Sequence, residues 1–119
     1  MLRVIQVGEE VPLGMPDAAV ELFRVRGRGR ELGPMARHQR TPQLLAAMDG
    51  GRWGLWLAPP GPTPRDPSWH EFRADEAVLL DPGTWHRGPI PLDAETGTYL
   101  TNEAPHTNTL DFEERSSER

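Results

Sequence analysis

Three features of the sequence predict an all-β domain. Its 13 prolines and 12 glycines interrupt the chain so often that no stretch long enough for a helix keeps a helical period. Short apolar or alternating runs recur throughout, and turn-forming residues bound them, which is the pattern of a sandwich or barrel. At 119 residues the chain suits one domain, long enough to bury a core and too short to divide. That domain is expected to span residues 1–114, with a frayed polar tail over residues 115–119.

In chain order, Arg3–Val7 and Ala19–Val25 are short runs of mostly apolar residues broken by single polar ones, and Gln43–Ala47 is a short apolar run. Trp53–Ala58 is rich in aromatic and aliphatic residues, His70–Arg73 is a further candidate strand, and Ala77–Leu80 is apolar. Thr98–Thr101 and Thr109–Phe112 mix Thr, Tyr, Leu and Phe, which favour a pleated surface. Between the third and fourth runs, Asp49-Gly50-Gly51 predicts a hairpin, because paired glycines accept the positive φ of tight turns. Pro59–Pro67 holds too many residues without an amide donor to be a central strand and is expected to be a stiff surface loop.

Composition excludes several classes. There is no cysteine, so disulfides and thiolate metal sites are out, and an intracellular compartment is the simpler reading. Residues 1–5 lack the apolar run and cleavage site of a signal peptide, and no segment is long enough to span a bilayer. The expectation is a cytoplasmic protein. A net charge of −5 argues against nucleic acid as the main partner. All 13 basic residues are arginine, which removes lysine Schiff-base chemistry. Arg24, Arg26, Arg28 and Arg30 alternate, as on a solvated edge strand whose charges discourage pairing, with anion binding as the alternative.

Two of the four histidines sit in spaced patterns. His38, Gln43 and Gly50 follow one another in Arg37-His38-Gln39-Arg40-Thr41-Pro42-Gln43 and beyond, and Gly83 stands three residues before His86 in Gly83-Thr84-Trp85-His86. In a closed barrel, His38, Gln43 and His86 would converge on one pocket. These spacings resemble the two motifs of the cupins, with Gln43 where that fold commonly has glutamate and Ala36 where a further histidine would stand. The fold that the resemblance implies is the cupin double-stranded β-helix, a jelly-roll barrel. Two imidazoles and an amide carry no negative charge and suit zinc, iron or manganese poorly. No metal or other cofactor is expected, and His38 and His86 would be the ligands if a metal were present.

The resemblance narrows over residues 19–114. Met35-Ala36-Arg37-His38 with Gln43, then Gly83-Thr84-Trp85-His86 leading to Pro91-Leu92, then Tyr99-Leu100-Thr101 and Asp111-Phe112-Glu113 resemble, in order, blocks of the ureidoglycolate lyase family. The chain departs from that family in its shorter N-terminus, in Ala36 for glutamate, and in Arg87 where a second histidine usually follows Trp-His.

The resemblance implies cleavage of ureidoglycolate to glyoxylate and urea, a carbon–nitrogen lyase step of ureide (allantoin and purine) catabolism without redox chemistry. One group must take the hydroxyl proton and another must protonate the departing nitrogen; an imidazole suits both tasks. His86 is assigned the base and His38 the acid or the group that polarises the hydroxyl, with the reverse open. Gln43 offers a donor and an acceptor to the ureido group, and Arg37 or Arg87 would hold the carboxylate, with Arg24 and Arg26 as further candidates. Trp85 is expected on the face opposite His86, as packing.

Other residues carry structural expectations. Trp53, Trp56 and Trp69 are expected to supply core or interface area, and Asp111 and Glu113 a turn or subunit contact. His70 and His106 match no motif. The expected partners are a small ureido acid and a second copy of the chain, because small barrels tend to hide an edge strand by pairing. Two alternatives stand beside the lyase. One is a non-catalytic small-acid-binding or regulatory cupin. The other is a metal-dependent cupin enzyme recruiting a carboxylate such as Glu71.

Overall fold

Ten strands and no helix make up the computed structural model, which describes residues 1–14, 19–27, 29–103 and 112–117. They are β1 (Leu2–Ile5), β2 (Ala19–Arg26), β3 (Met35–His38), β4 (Gln43–Ala47), β5 (Trp53–Ala58), β6 (Ser68–Phe72), β7 (Ala77–Leu80), β8 (Trp85–Pro91), β9 (Thr96–Glu103) and β10 (Phe112–Arg115). Two antiparallel sheets of five strands result, one ordered β1-β7-β4-β9-β2 and the other β10-β3-β8-β5-β6. No strand pairing joins the two among the described residues, so the arrangement is a pair of facing sheets and not the closed barrel expected.

From β2 onward the chain changes sheet at nearly every connection, and only the β5–β6 hairpin stays within one. The Asp49–Gly51 turn therefore does not make a hairpin. β4 pairs with β7 and β9, whereas β5 lies in the other sheet. Gly50 does take a positive φ of 79°, but the turn is anchored to β9, with Thr98 N donating to Asp49 Oδ2 at 2.9 Å and Met48 N to Thr98 O at 2.8 Å. The exit is clamped by Arg52, whose backbone N and Nη2 donate to the Asp93 carboxylate at 2.9 and 2.8 Å. A glycine turn permits reversal; these contacts set its direction.

Between the sheets, Leu45, Trp53, Leu55, Leu57, Phe72, Val78, Leu80 and Tyr99 form the core. Trp53 stacks obliquely on Phe72 and Tyr99 at centroid distances of 4.8 and 5.7 Å. Each such side chain contributes about 1.5–3 kcal/mol when fully buried. A second cluster of Met35, Ala58 and Trp85, with Leu32 and Trp56 packed against it, covers the outer face of the β10-β3-β8-β5-β6 sheet.

Two strands fall outside the runs predicted from sequence, and they carry the histidines. β3 is four residues between Pro34 and the loop before Pro42, and β8 contains Gly88, Pro89 and Pro91. A proline in an inner strand is tolerated here because the register slips: Gly54 pairs Ile90 and Trp56 pairs Arg87, leaving Gly88 and Pro89 both opposite Leu55. The Pro59–Pro67 segment is a loop as expected, but Pro64 is fully buried. β10 continues to Arg115, so that residue belongs to a strand and not to a tail; the predicted Thr109–Phe112 strand lies mostly outside the described residues.

Candidate functional site

Adjacent strands β3 and β8 bring the two motif histidines together. Ala36 pairs with His86, and His86 pairs on its other side with the core residue Leu57, so His86 faces the interior between the sheets. His38, two residues beyond Ala36, shares that face, and the two imidazole centroids stand 6.1 Å apart, tilted by 33°. The connections leaving β3 and entering β8 meet at this end, where Gly83 N donates to His38 O at 2.7 Å. Gly83 holds a φ of 83°, and a Cβ there would stand 3.3 Å from Pro60 Cβ.

His86 is only 9% exposed, and its Nδ1 is buried with no hydrogen-bond partner. Burial pushes its pKa down to about 4, and the neighbouring His38 imidazole adds to the fall; a backbone contact from Thr84 opposes it in part, without supplying a hydrogen bond to Nδ1. His86 is therefore a neutral imidazole through the physiological range, with one ring nitrogen buried and unpartnered.

Gln43 opens β4 on the facing sheet, paired with the core residue Leu80 and so directed inward at the same end of the sandwich. Its Nε2 donates to Thr101 Oγ1 at 3.4 Å, while its Oε1 is buried with no partner. Thr101, buried and paired with the core residue Leu45, completes this wall. Asn102 straddles the start of β4: its Oδ1 accepts from Leu44 N and its Nδ2 donates to Pro42 O at 3.0 Å. Sequence reasoning assigned Asn102 no part and saw Thr101 only within the Tyr99-Leu100-Thr101 block; neither has a distinguishing spacing.

The arginines stand elsewhere. Arg37 lies on the outer face of its sheet, with its guanidinium 4.3 Å from the Trp85 ring centroid. It donates to Glu113 Oε2 from Nε and Nη2 at 3.1 and 2.9 Å and to the Gly61 carbonyl from Nη1. Trp85 Nε1 donates to the same carbonyl at 3.1 Å, which pins the proline-rich loop to the sheet. Arg87 faces outward beside Trp56, and its Nε and Nη1 donate to Glu31 O and Pro34 O at 3.2 and 3.3 Å. Arg24 and Arg26 lie on the outer face of the other sheet, away from Phe23 and Val25, which pack on the core. None of these four guanidiniums faces the histidine pair.

Glu71 is exposed on β6 and paired with Arg30 at 3.0 Å, so it is not the carboxylate of a His38–His86 metal site. Among the described residues no group of three or more His, Cys, Asp or Glu could hold a metal ion. Two imidazoles and a neutral amide make a weak donor set for zinc, iron or manganese. His70 accepts or shares a proton with Ser68 Oγ at 2.8 Å, and burial lowers its pKa. His106, Asp111 and Arg28 lie outside the described residues. A cavity of about 210 Å³ lies farther along β8, lined by Val25, Arg87, Gly88, Pro89 and Ile90, and neither histidine lines it.

The described residues contain no helix long and apolar enough to cross a membrane. Compared with protein-family models and with curated proteins, the chain gives no match.

Proposed function

We propose that His38, His86 and Gln43 form the reactive centre of a cupin-like carbon–nitrogen lyase acting on ureidoglycolate. The observation that carries the reading is the pair of imidazoles 6.1 Å apart on one inward face, one of them buried with an unpartnered ring nitrogen. What supports the jelly-roll reading is the winding, in which β2, β3, β4, the β5–β6 hairpin taken as one step, β7, β8, β9 and β10 fall alternately in one sheet and the other.

In the proposed reaction, neutral His86 accepts the hydroxyl proton as the carbon–oxygen double bond forms. The carbon–nitrogen bond breaks, and its electron pair leaves with the urea nitrogen, which His38 protonates. The products are glyoxylate and urea, and proton transfer between the imidazoles restores the starting state. The low pKa of His86 favours the base role by population, and once protonated it is a strong enough acid to pass the proton on. Gln43 Oε1 offers the ureido group an acceptor that nothing else occupies. Arg37 and Arg87 do not face the pair and are assigned no contact to the carboxylate.

A second reading, a small-acid-binding cupin without turnover, is favoured by the outward facing of Arg37 and Arg87 and by Ala36 opposite His86. Incubation with ureidoglycolate, metal-stripped and metal-supplemented, with glyoxylate and urea measured together, separates the two. Equal release of both products, independent of metal and lost in His86→Ala, is expected. Saturable binding without product would replace the lyase with the binding protein, and release only with metal would overturn the metal-free chemistry.

A further inference from the structure

Gln43 keeps a buried carbonyl oxygen with no partner, and a long, rotamer-rich side chain at the first position of a strand does not hold such a group in place by itself. What holds it is β9. The backbone ladder between β4 and β9 runs from Ala47 opposite Tyr99 to Leu45 opposite Thr101 and stops there. The next position of the same register sets Leu44 opposite Asn102, whose backbone is paired on its other side with Val20. There the side chain of Asn102 takes the place of a peptide group: its Oδ1 accepts from Leu44 N, and its Nδ2 donates to Pro42 O at 3.0 Å. A carboxamide carries the same donor and acceptor as a peptide, so this is one more rung of the ladder, built from a side chain. The two groups it holds belong to the residues on either side of Gln43. Asn102 is only 6% exposed, which shields both bonds from water. Thr101, the residue before it, points to the opposite face and meets the Gln43 side chain itself, its Oγ1 accepting from Nε2 at 3.4 Å. With Nε2 so engaged, Oε1 is the end of the amide left for a ligand.

We propose that Asn102 is the positioning residue of the ureido-binding amide: its side chain fixes the backbone on both sides of Gln43 and so keeps Oε1 aimed into the site as a selector for a ligand N–H. The proposal rests on Gln43 being the group that meets the ureido acid. An acceptor fixed in this way discriminates by polarity. A ligand that brings an N–H to Oε1 satisfies the orphaned carbonyl, whereas an isostere that brings an ether oxygen or a methyl group leaves it unpaired and is rejected. Removal of the rung lets the start of β4 carry Gln43 toward water, and the penalty against the wrong ligand goes with it. The strand itself survives, because β7 still pairs its other edge, with Leu80 opposite Gln43. Asn102 acts on the ligand only through Gln43, so its loss shows in selectivity.

Ureidoacetate and acetoxyacetate share one shape and lack the hydroxyl that the lyase step needs, so calorimetric titration of the full chain with each measures binding alone. The parent is expected to prefer ureidoacetate by about tenfold or more, and Asn102→Ala to bring the ratio to within about threefold of unity, chiefly by weakening ureidoacetate. A residue that merely stabilised the sheet would lower the melting temperature and leave the ratio as it is, so an unchanged ratio overturns the proposal. Should Asn102→Ala not fold, Asn102→Asp has the same shape, keeps the acceptor for Leu44 N and loses the donor to Pro42 O, and is expected to lower the ratio likewise. A second readout needs no ligand. The Nε2 protons of Gln43, identified as the NMR amide pair absent from Gln43→Leu, are expected to exchange with water about tenfold faster in Asn102→Ala than in the parent. Equal exchange overturns the proposal whatever the ligands do. If the parent binds neither acid while exchange responds as expected, the ureido reading of Gln43 falls and the positioning role of Asn102 stands.

Discussion

The amide of Gly83 donates to the carbonyl of His38 at 2.7 Å, and through this bond the loop that launches β8 is tied to the end of β3. Since His86 lies three residues after Gly83, the bond sets the separation of the two imidazoles as well as the local fold. Gly83→Ala has to place a side chain at a φ of 83° and against Pro60. A loss of about 1–2 kcal/mol is expected in denaturant unfolding. If the bond positions the site, product release by the folded variant falls further than stability explains. Unchanged turnover per folded molecule would make Gly83 purely structural.

The buried neutral imidazole of His86 makes stability depend on pH. Its folded pKa of about 4 lies below the ordinary 6.5, so between those values the unfolded chain binds the proton and the folded chain does not. Stability from this group is complete above pH 6.5 and is lost as the pH falls through 4, by about 3 kcal/mol. Urea unfolding from pH 7 to 4 is expected to show that slope, and His86→Gln to flatten it. Glu76, Asp93 and Glu113, whose pKa values are also lowered, act in the same direction below the usual carboxylate range. A slope unchanged in His86→Gln would place the titrating group elsewhere.

Gln43 Oε1 is buried and unpaired in the free protein. Gln43→Leu removes that orphaned acceptor together with the 3.4 Å bond to Thr101. The variant is expected to be as stable as the parent or more so, by up to about 1 kcal/mol, and to bind the ureido acid at least tenfold more weakly. Calorimetric titration beside thermal melting checks both. Loss of stability with intact binding would make Gln43 a structural residue.

Arg37 joins β3, β10 and the proline-rich loop through Glu113, Trp85 and Gly61. Arg37→Ala is expected to lower the melting temperature by about 10 °C, while turnover per folded molecule stays within a factor of two to three. Arg37→Lys keeps the charge but loses the planar stack and the fork, and should recover only part of the loss. A variant that melts normally but no longer turns over would return Arg37 to the substrate.

Alternation along β3 and β8 fixes which side chains of the candidate site face inward. In a strand, neighbours face opposite ways, which set Trp85 apart from His86; the same rule sets Arg37 apart from His38 and Arg87 apart from His86, so both arginines were legible as outward-facing once β3 and β8 were known to be strands. Those strands were hard to see because β3 is short and β8 is broken by glycine and two prolines, and only the slipped register opposite Leu55 lets them sit inside a sheet.

By itself, then, the sequence determined the all-β class, the bounds of β4, β5 and β7, and the spacing of His38, Gln43 and His86, because these depend on local pattern. Tertiary structure decided which strands became neighbours. It turned Asp49–Gly51 from a hairpin into a crossover, left the sheets unclosed and sent Arg24, Arg26, Arg37 and Arg87 to the outer faces. A residue's facing within a strand follows from pleat geometry, but the strand beside it is chosen by contacts between residues distant in sequence, and no local pattern encodes that choice.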